Sequence, residues 1–328
     1  MTDGLGVEES RIRLPIVRWK ARGSLSIEAP CPFVPAGPKR SFQAMIRTAF
    51  AALALLASAS LSHAASAQVA ATTPSLDGLY AEAQRDPAGV VPFLVEGSRV
   101  LATLAPDAAR RLGDTLEPFA HRAFFSTEIL PGMERLGLTT HTVAKGETPV
   151  AIAARYDIGA GLLPYLNGAF DAKKLRVGQR LKILDVSRGE LELAVDRSTY
   201  RLAAWRQLAE GGRVLVLFAA VGIGAVDSPT PTGHTRITKR ALDPEWTDPD
   251  TRRVIPAGDP RNVLGGYWIA LDPEGLGGRR GIGIHGYTGS PADDWLEKPG
   301  SLGCVRMLSR DVDRVYHLAM EGTVVELR

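Results

Sequence analysis

His285-Gly286-Tyr287-Thr288 and, further on, Ser301-Leu302-Gly303-Cys304-Val305-Arg306-Met307 decide how this chain is read. A thiol has an unperturbed pKa of about 8.5, so a nucleophilic cysteine at neutral pH calls for an imidazole beside it. His285 ends a strand-like run, Gly283-Ile284-His285, and Cys304 follows a Gly-rich turn. A β-rich fold sets two such positions side by side. Gly303 lets the backbone approach a substrate closely. The amides of Gly303 and Cys304 are expected to point at a developing oxyanion, where one such donor is worth about 3 kcal/mol of barrier. The Gly286 carbonyl is expected to fix the His285 tautomer through Nδ1–H. Arg306 offers a fork for a carboxylate. The plainer readings are an inert thiol at Cys304, a structural His285, a surface ion pair at Arg306 and a mere turn residue at Ser301.

Outward from these residues, 187–328 read as mostly β with one late helix. Leu191-Glu192-Leu193-Ala194-Val195, Tyr200-Arg201-Leu202, Val214 to Phe218, Thr235 to Thr238 and Tyr267 to Leu271 are strand-like, and Val324 to Leu327 close the chain. The helix is expected near Ser309 to Met320, with Val312, Val315, Tyr316 and Ala319 on one face. A polar, Pro-rich stretch from Ala241 to Gly266 reads as a long ordered loop, of the kind used as a lid or substrate wall.

The pattern His285-Gly286 followed by Ser301-x-Gly303-Cys304-x-Arg306 resembles the YkuD-type L,D-transpeptidase family. Ser228-Pro229-Thr230-Pro231-Thr232-Gly233, Pro244-x-Trp246 and Asn262-Val263-Leu264-Gly265 match it in order and spacing. Departures are Leu302, where many members carry His, Tyr287 directly after His-Gly with Thr288 one place late, and a long His-to-Cys interval. The resemblance implies catalytic roles for Cys304, His285, Gly286 and Gly303. It implies substrate contacts at Arg306, Ser301, Tyr287, Thr288 and Trp246. The implied reaction is thiolate attack on the L-centre carbonyl of diaminopimelate in a tetrapeptide stem, loss of D-Ala, and transfer to an amine. No metal or organic cofactor is called for. The acceptor is left open among another stem, the Lys of an envelope protein, a free D-amino acid and water.

Residues 139–184 read as a βααβ unit. Thr140-His141-Thr142-Val143 and Arg180 to Leu184 are strand-like, Thr148 and Pro149 open a helix, and Asn167-Gly168 close a second one. The run His141-Thr142-Val143-x-Lys145-Gly146-Glu147-Thr148, then Leu166-Asn167-Gly168, then Val177-Gly178-Gln179, resembles a LysM domain. The resemblance implies glycan binding through Gly146, Glu147 and Thr148 and through the region from Gly161 to Asn167.

Ahead of it, 68–138 read as a helical segment of several short helices punctuated by Pro92, Pro106 and Pro118. Met45, Arg47, the apolar run from Ile46 to Ser62 and Ala65-Ser66-Ala67 read as a signal peptide over 45–67, with an uncleaved anchor helix as the alternative. Residues 1–44 read as an upstream extension, with Met45 as the initiator. The chain has 39 Lys+Arg against 36 Asp+Glu, a formal +3 with no long basic run, which argues against a nucleic-acid partner. Residues 1–67 hold 8 of those basic and 4 of those acidic residues, so 68–328 carry a net −1 and Cys304 as their one cysteine.

The expected architecture is therefore multidomain: a mainly-β, sandwich-like catalytic domain with one late helix, preceded by a βααβ LysM domain and a short helical segment. The expected protein is a Gram-negative-type periplasmic or envelope enzyme of the ErfK/YbiS kind, with peptidoglycan stem peptide and glycan as partners and no stable membrane span after cleavage. A hydrolase of the same chemistry and a LysM wall-binding protein without activity are the other readings.

Overall fold

The computed structural model describes residues 74–168, 170–249, 251–289 and 294–328. The extension 1–44 and signal peptide 45–67 lie outside the described residues. Three helices open the described chain: α1 (Leu76–Arg85), α2 (Pro87–Leu101) and α3 (Pro106–Phe124). Ser75 and Asp86 cap the first two through their side-chain oxygens, and Pro87 and Pro106 occupy first-turn positions. Pro92 and Pro118 do not break the chain, contrary to the expectation of short helices; each lies inside a helix. Around Pro92, Val90, Val91, Phe93 and Leu94 are all at most 1% exposed, and this packing outweighs the hydrogen bond that proline removes.

Next come β1 (Leu138–Thr142), α4 (Pro149–Arg155), α5 (Leu162–Leu166) and β2 (Arg180–Leu184), with β1 and β2 antiparallel from Leu138↔Leu184 to Thr142↔Arg180. The strands β3 (Leu191–Asp196), β4 (Arg201–Gln207), β5 (Arg213–Gly224) and β6 (Gly233–Leu242) follow. The Ala241–Gly266 stretch is not purely loop. It contains a small hairpin, β7 (Trp246–Thr247) and β8 (Val254–Ile255), paired antiparallel. The chain ends with β9 (Tyr267–Leu271), β10 (Gly283–Gly286), β11 (Pro299–Ser301), β12 (Val305–Met307), α6 (Ser309–Leu318) and β13 (Val324–Leu327).

The large sheet has nine strands in the order β11-β5-β12-β10-β9-β6-β13-β3-β4, and β4 also pairs with β5. That extra pairing closes the sheet on itself, so the domain is barrel-like rather than an open sandwich. Along β4 and β5 nearly every residue is buried, because both faces are covered. Inside is the barrel core; outside lie α2 and α3. Gly113 permits the contact, since a Cβ there would lie 2.5 Å from the Phe218 ring. Ser98 accepts a hydrogen bond from the Leu215 amide, Glu117 from the Phe218 amide, and Arg201 pairs with Asp114 at 3.1 Å.

The βααβ unit is also fastened. Tyr165 of α5 donates to Asp313 of α6 and stacks on His317 at 4.7 Å. Lys182 of β2, 1% exposed, donates to the carbonyls of Ala123 in the last turn of α3 at 2.9 Å and of Glu128 beyond it at 3.1 Å. One continuous set of buried apolar side chains runs from Leu79 to Leu327.

Candidate active site

β10 and β12 run parallel, with His285 opposite Arg306 and Ile284 opposite Val305. Residues paired across parallel strands share a face, as do residues two apart along one strand. His285, Arg306 and Cys304 therefore look to the same side. All three line one cleft of about 580 Å³, with Trp246, Trp268 and Leu264 in its walls.

His285 is 5% exposed, and its Nδ1 is hydrogen-bonded to the carbonyl of Gly286. A carbonyl only accepts, so Nδ1 carries the proton and Nε2 keeps a lone pair. Burial pulls the His285 pKa down to about 4, and the Arg306 charge adds to this against the Gly286 carbonyl. The Trp268 ring lies 5.8 Å from the imidazole.

The Cys304 thiol donates to the carbonyl of Gly281 at 3.3 Å. Burial pushes its pKa up, while the Gly283 amide, Arg306 and Arg279 pull the other way. Both groups are desolvated, and burial favours the neutral imidazole at His285 and the neutral thiol at Cys304.

The oxyanion expectation also changes. The Gly303 amide donates to Ser301 Oγ at 3.1 Å, and Ser301 Oγ donates to the Cys304 carbonyl at 2.6 Å. Gly303 contributes its φ of +113°, which lets the chain turn sharply into Cys304. Ser301, 3% exposed, braces that turn with its hydroxyl and also lines the cleft.

Arg306 lines the cleft, and its guanidinium carbon sits 3.9 Å from the centre of the Tyr287 ring. Tyr287 in turn meets Trp295 edge-on at 5.3 Å. Tyr287 is therefore a support behind Arg306 and not part of the cleft wall. Thr288 is also outside it: its hydroxyl donates to the Asn262 carbonyl, and it lines a neighbouring cavity of about 310 Å³. Trp246 is brought into the cleft by the β7–β8 hairpin. Asn262 anchors that wall, donating to Pro244 O at 2.9 Å and accepting from the Leu264 amide at 3.1 Å.

In the βααβ unit, three of the four expected glycan contacts are occupied within the fold. Glu147 accepts from His141 Nε2 at 2.7 Å and from the Ala144 amide, and pairs with Arg155. Thr148 caps α4 by accepting from Ala151 N. Asn167 donates to the carbonyls of Leu163 and Lys182 and accepts from the Lys182 amide. Of the region from Gly161 to Asn167, the α5 side chain Tyr165 packs on α6, and a Cβ at Gly161 would lie 2.4 Å from His317. Gly146 remains exposed with open space around it.

Sequence reasoning missed Trp268, Arg252, Arg280 and Gly281, which also line the cleft. It also missed Arg279, which braces Ser228 Oγ at 2.7 Å and the Leu302 carbonyl at 3.3 Å. The adjacent arginines just before the His285 strand were the available signal.

A closed β domain thus brings a cysteine and a histidine whose Nδ1 faces a backbone carbonyl into one cleft. The comparison with known families is narrower: residues 191–327 match the YkuD L,D-transpeptidase catalytic domain, and residues 141–184 match the LysM domain. The chain thus carries both domains. It is 32% identical over 106 residues to "Putative L,D-transpeptidase YqjB" of Bacillus subtilis (strain 168), covering 32% of this chain and 56% of that protein. It is 28% identical over 193 residues to "Putative L,D-transpeptidase YkuD" of the same organism, covering 58% of this chain and 99% of that one. A solved Enterococcus faecium L,D-transpeptidase shares 18% identity at a TM-score of 0.32, over 42% of this chain and 50% of that one. The chain thus spans about half the length of YqjB and of that structure.

Proposed function

We propose that the protein is a peptidoglycan L,D-transpeptidase of the cell envelope, Gram-negative and periplasmic in type. The observation that carries the reading is the shared cleft of Cys304 and His285, with Nδ1–H of His285 held on the Gly286 carbonyl. As a tetrapeptide stem binds, His285 Nε2 takes the Cys304 proton. The sulfur attacks the L-centre carbonyl of diaminopimelate. Collapse of the tetrahedral adduct breaks the amide bond, and the protonated His285 delivers its proton to the departing D-Ala amine. The thioester is then attacked by an acceptor amine, which loses a proton to His285, and the thiol is regenerated. With the Gly303 amide on Ser301, the Cys304 amide is the remaining oxyanion donor of the pair.

The LysM domain would hold the glycan at its exposed edge around Gly146 and Val177, Val177 being 68% exposed. The described residues include no helix long and apolar enough to cross a membrane.

The test incubates the purified protein with disaccharide-tetrapeptide, with Cys304→Ala as control. Cys304-dependent D-Ala release with cross-linked dimers, or with acyl transfer to an added amine, supports the reading. Tripeptide alone would make it a hydrolase of the same chemistry. No Cys304-dependent product would overturn the catalytic reading and leave a wall-binding protein.

A further inference from the structure

The cleft carries more positive charge than acyl transfer requires. Arg252, Arg280 and Arg306 line it, against Glu245 as the one carboxylate among the described residues of its lining. Arg306 is stacked on Tyr287. Arg252 and Arg280 are different: among the described residues neither guanidinium has a hydrogen bond, ion pair or ring contact.

The backbone at both positions is fixed. Arg279 is tied to Ser228 and Leu302, and the carbonyl of Gly281 accepts from the Cys304 thiol. Arg280, between them, is thereby anchored one residue from the nucleophile's own partner. Arg252 stands in the β7–β8 turn with φ +58°, its amide on the Asp248 carbonyl at 2.9 Å. A non-glycine residue at such a φ is held against a local cost of order 1 kcal/mol. Here it belongs to a turn whose side chain reaches the cleft wall.

We propose that Arg252 and Arg280 are specificity determinants that pair with the free carboxylates of the donor peptide, and so select stems whose diaminopimelate keeps its D-centre carboxylate unmodified. The inference rests on the donor reading above. A tetrapeptide stem brings two carboxylates close to the attacked carbonyl: one on the departing D-Ala, one at the D-centre of diaminopimelate. Guanidinium forks suit carboxylates bidentately. Trp246, Trp268, Val263 and Leu264 supply apolar wall beside these guanidinium groups. An amide in place of a carboxylate keeps the shape and removes the charge.

The experiment measures D-Ala release by the full-length protein from two tetrapeptide donors, one with the D-centre carboxylate and one with its carboxamide. The wild-type protein is expected to prefer the carboxylate donor by about tenfold or more in kcat/KM. In the double variant Arg252→Gln/Arg280→Gln the preference is expected to fall to within about twofold, the carboxylate donor losing more kcat/KM than the carboxamide donor. Equal loss on both donors would mean a structural role and would overturn the proposal. Equal wild-type turnover of both donors overturns it while leaving the transpeptidase reading intact. Release from neither donor removes both.

Discussion

Burial favours the neutral forms of Cys304 and His285, and this sets the expected response of the site to pH. Burial holds the His285 pKa near 4, well below a free imidazole, and lifts that of Cys304. The imidazole is then neutral from about pH 4 upward, and with the thiol pKa raised the thiolate open to a free reagent grows only as pH rises. Alkylation of Cys304 by iodoacetamide, followed by mass spectrometry, is expected to climb continuously from pH 6 through pH 9. A plateau across pH 5 to 8 would reveal a preformed thiolate–imidazolium pair and refute this account. The same shift makes His285 a destabilising group in acid. Its folded pKa is below its unfolded one, so the unfolded chain binds more protons between about pH 4 and 6.5, and stability falls as pH drops through that window. At this scale the sequence made the residue types and their spacing legible, but not their partners. Ser301, Gly303, Glu147, Thr148 and Asn167 all looked available in the sequence; each has a polar group engaged by a neighbour only the folded chain supplies.

Between elements, the seam of α2 and α3 on β5 rests on a few buried polar contacts within an apolar interface. The β4–β5 ladder shifts register between Ala204 and Trp205, where Leu215 faces Trp205 and Leu217 faces Ala204. At that irregularity the Leu215 amide is met by Ser98 Oγ at 2.9 Å, and Ser98 is fully buried. Ser98→Ala leaves this amide without its side-chain acceptor and is expected to destabilise the protein by about 1–3 kcal/mol, read as a lower urea midpoint with an unchanged slope. No measurable loss would mean that the seam is held by its apolar contacts alone. The alternating apolar runs of β3, β9 and β13 were readable because each has a long enough period-2 pattern. The two- and three-residue strands β7, β8, β11 and β12 were not, because so short a run shows no period. Those short strands carry Trp246 to the cleft and bring Arg306 beside His285, so much of the site's geometry was hidden with them.

Across the molecule, the three sequence segments behave as one body over the described residues, and Lys182 shows why. It belongs to the LysM strand β2, yet its ammonium group donates to the carbonyl of Ala123 in the last turn of α3 and to that of Glu128 in the segment that follows. Cations are favoured at a helix C-terminus, where unpaired carbonyls accumulate. Tyr165 and Tyr267 complete the attachment, both donating to Asp313, so LysM and the strand that carries Trp268 share one acceptor on α6. No sequence pattern announced these joints, because they depend on which distant segment comes to cover Lys182 and Tyr165. Burial lowers the Lys182 pKa to about 8, with Glu128 opposing the shift. Its unfolded value is near 10.4, so between about pH 8 and 10.4 the unfolded chain holds the proton that the folded chain has released. Over that window this residue makes the folded state gain stability as pH rises, by an amount of order 2–3 kcal/mol. Lys182→Met removes this term along with both carbonyl contacts. The difference in unfolding free energy between wild type and variant is expected to widen from pH 7.5 to pH 10, since the other titrating groups are common to both proteins and cancel. A difference that stays flat over that range would show that Lys182 keeps its proton in the folded protein, held by these two carbonyls against the burial of its charge.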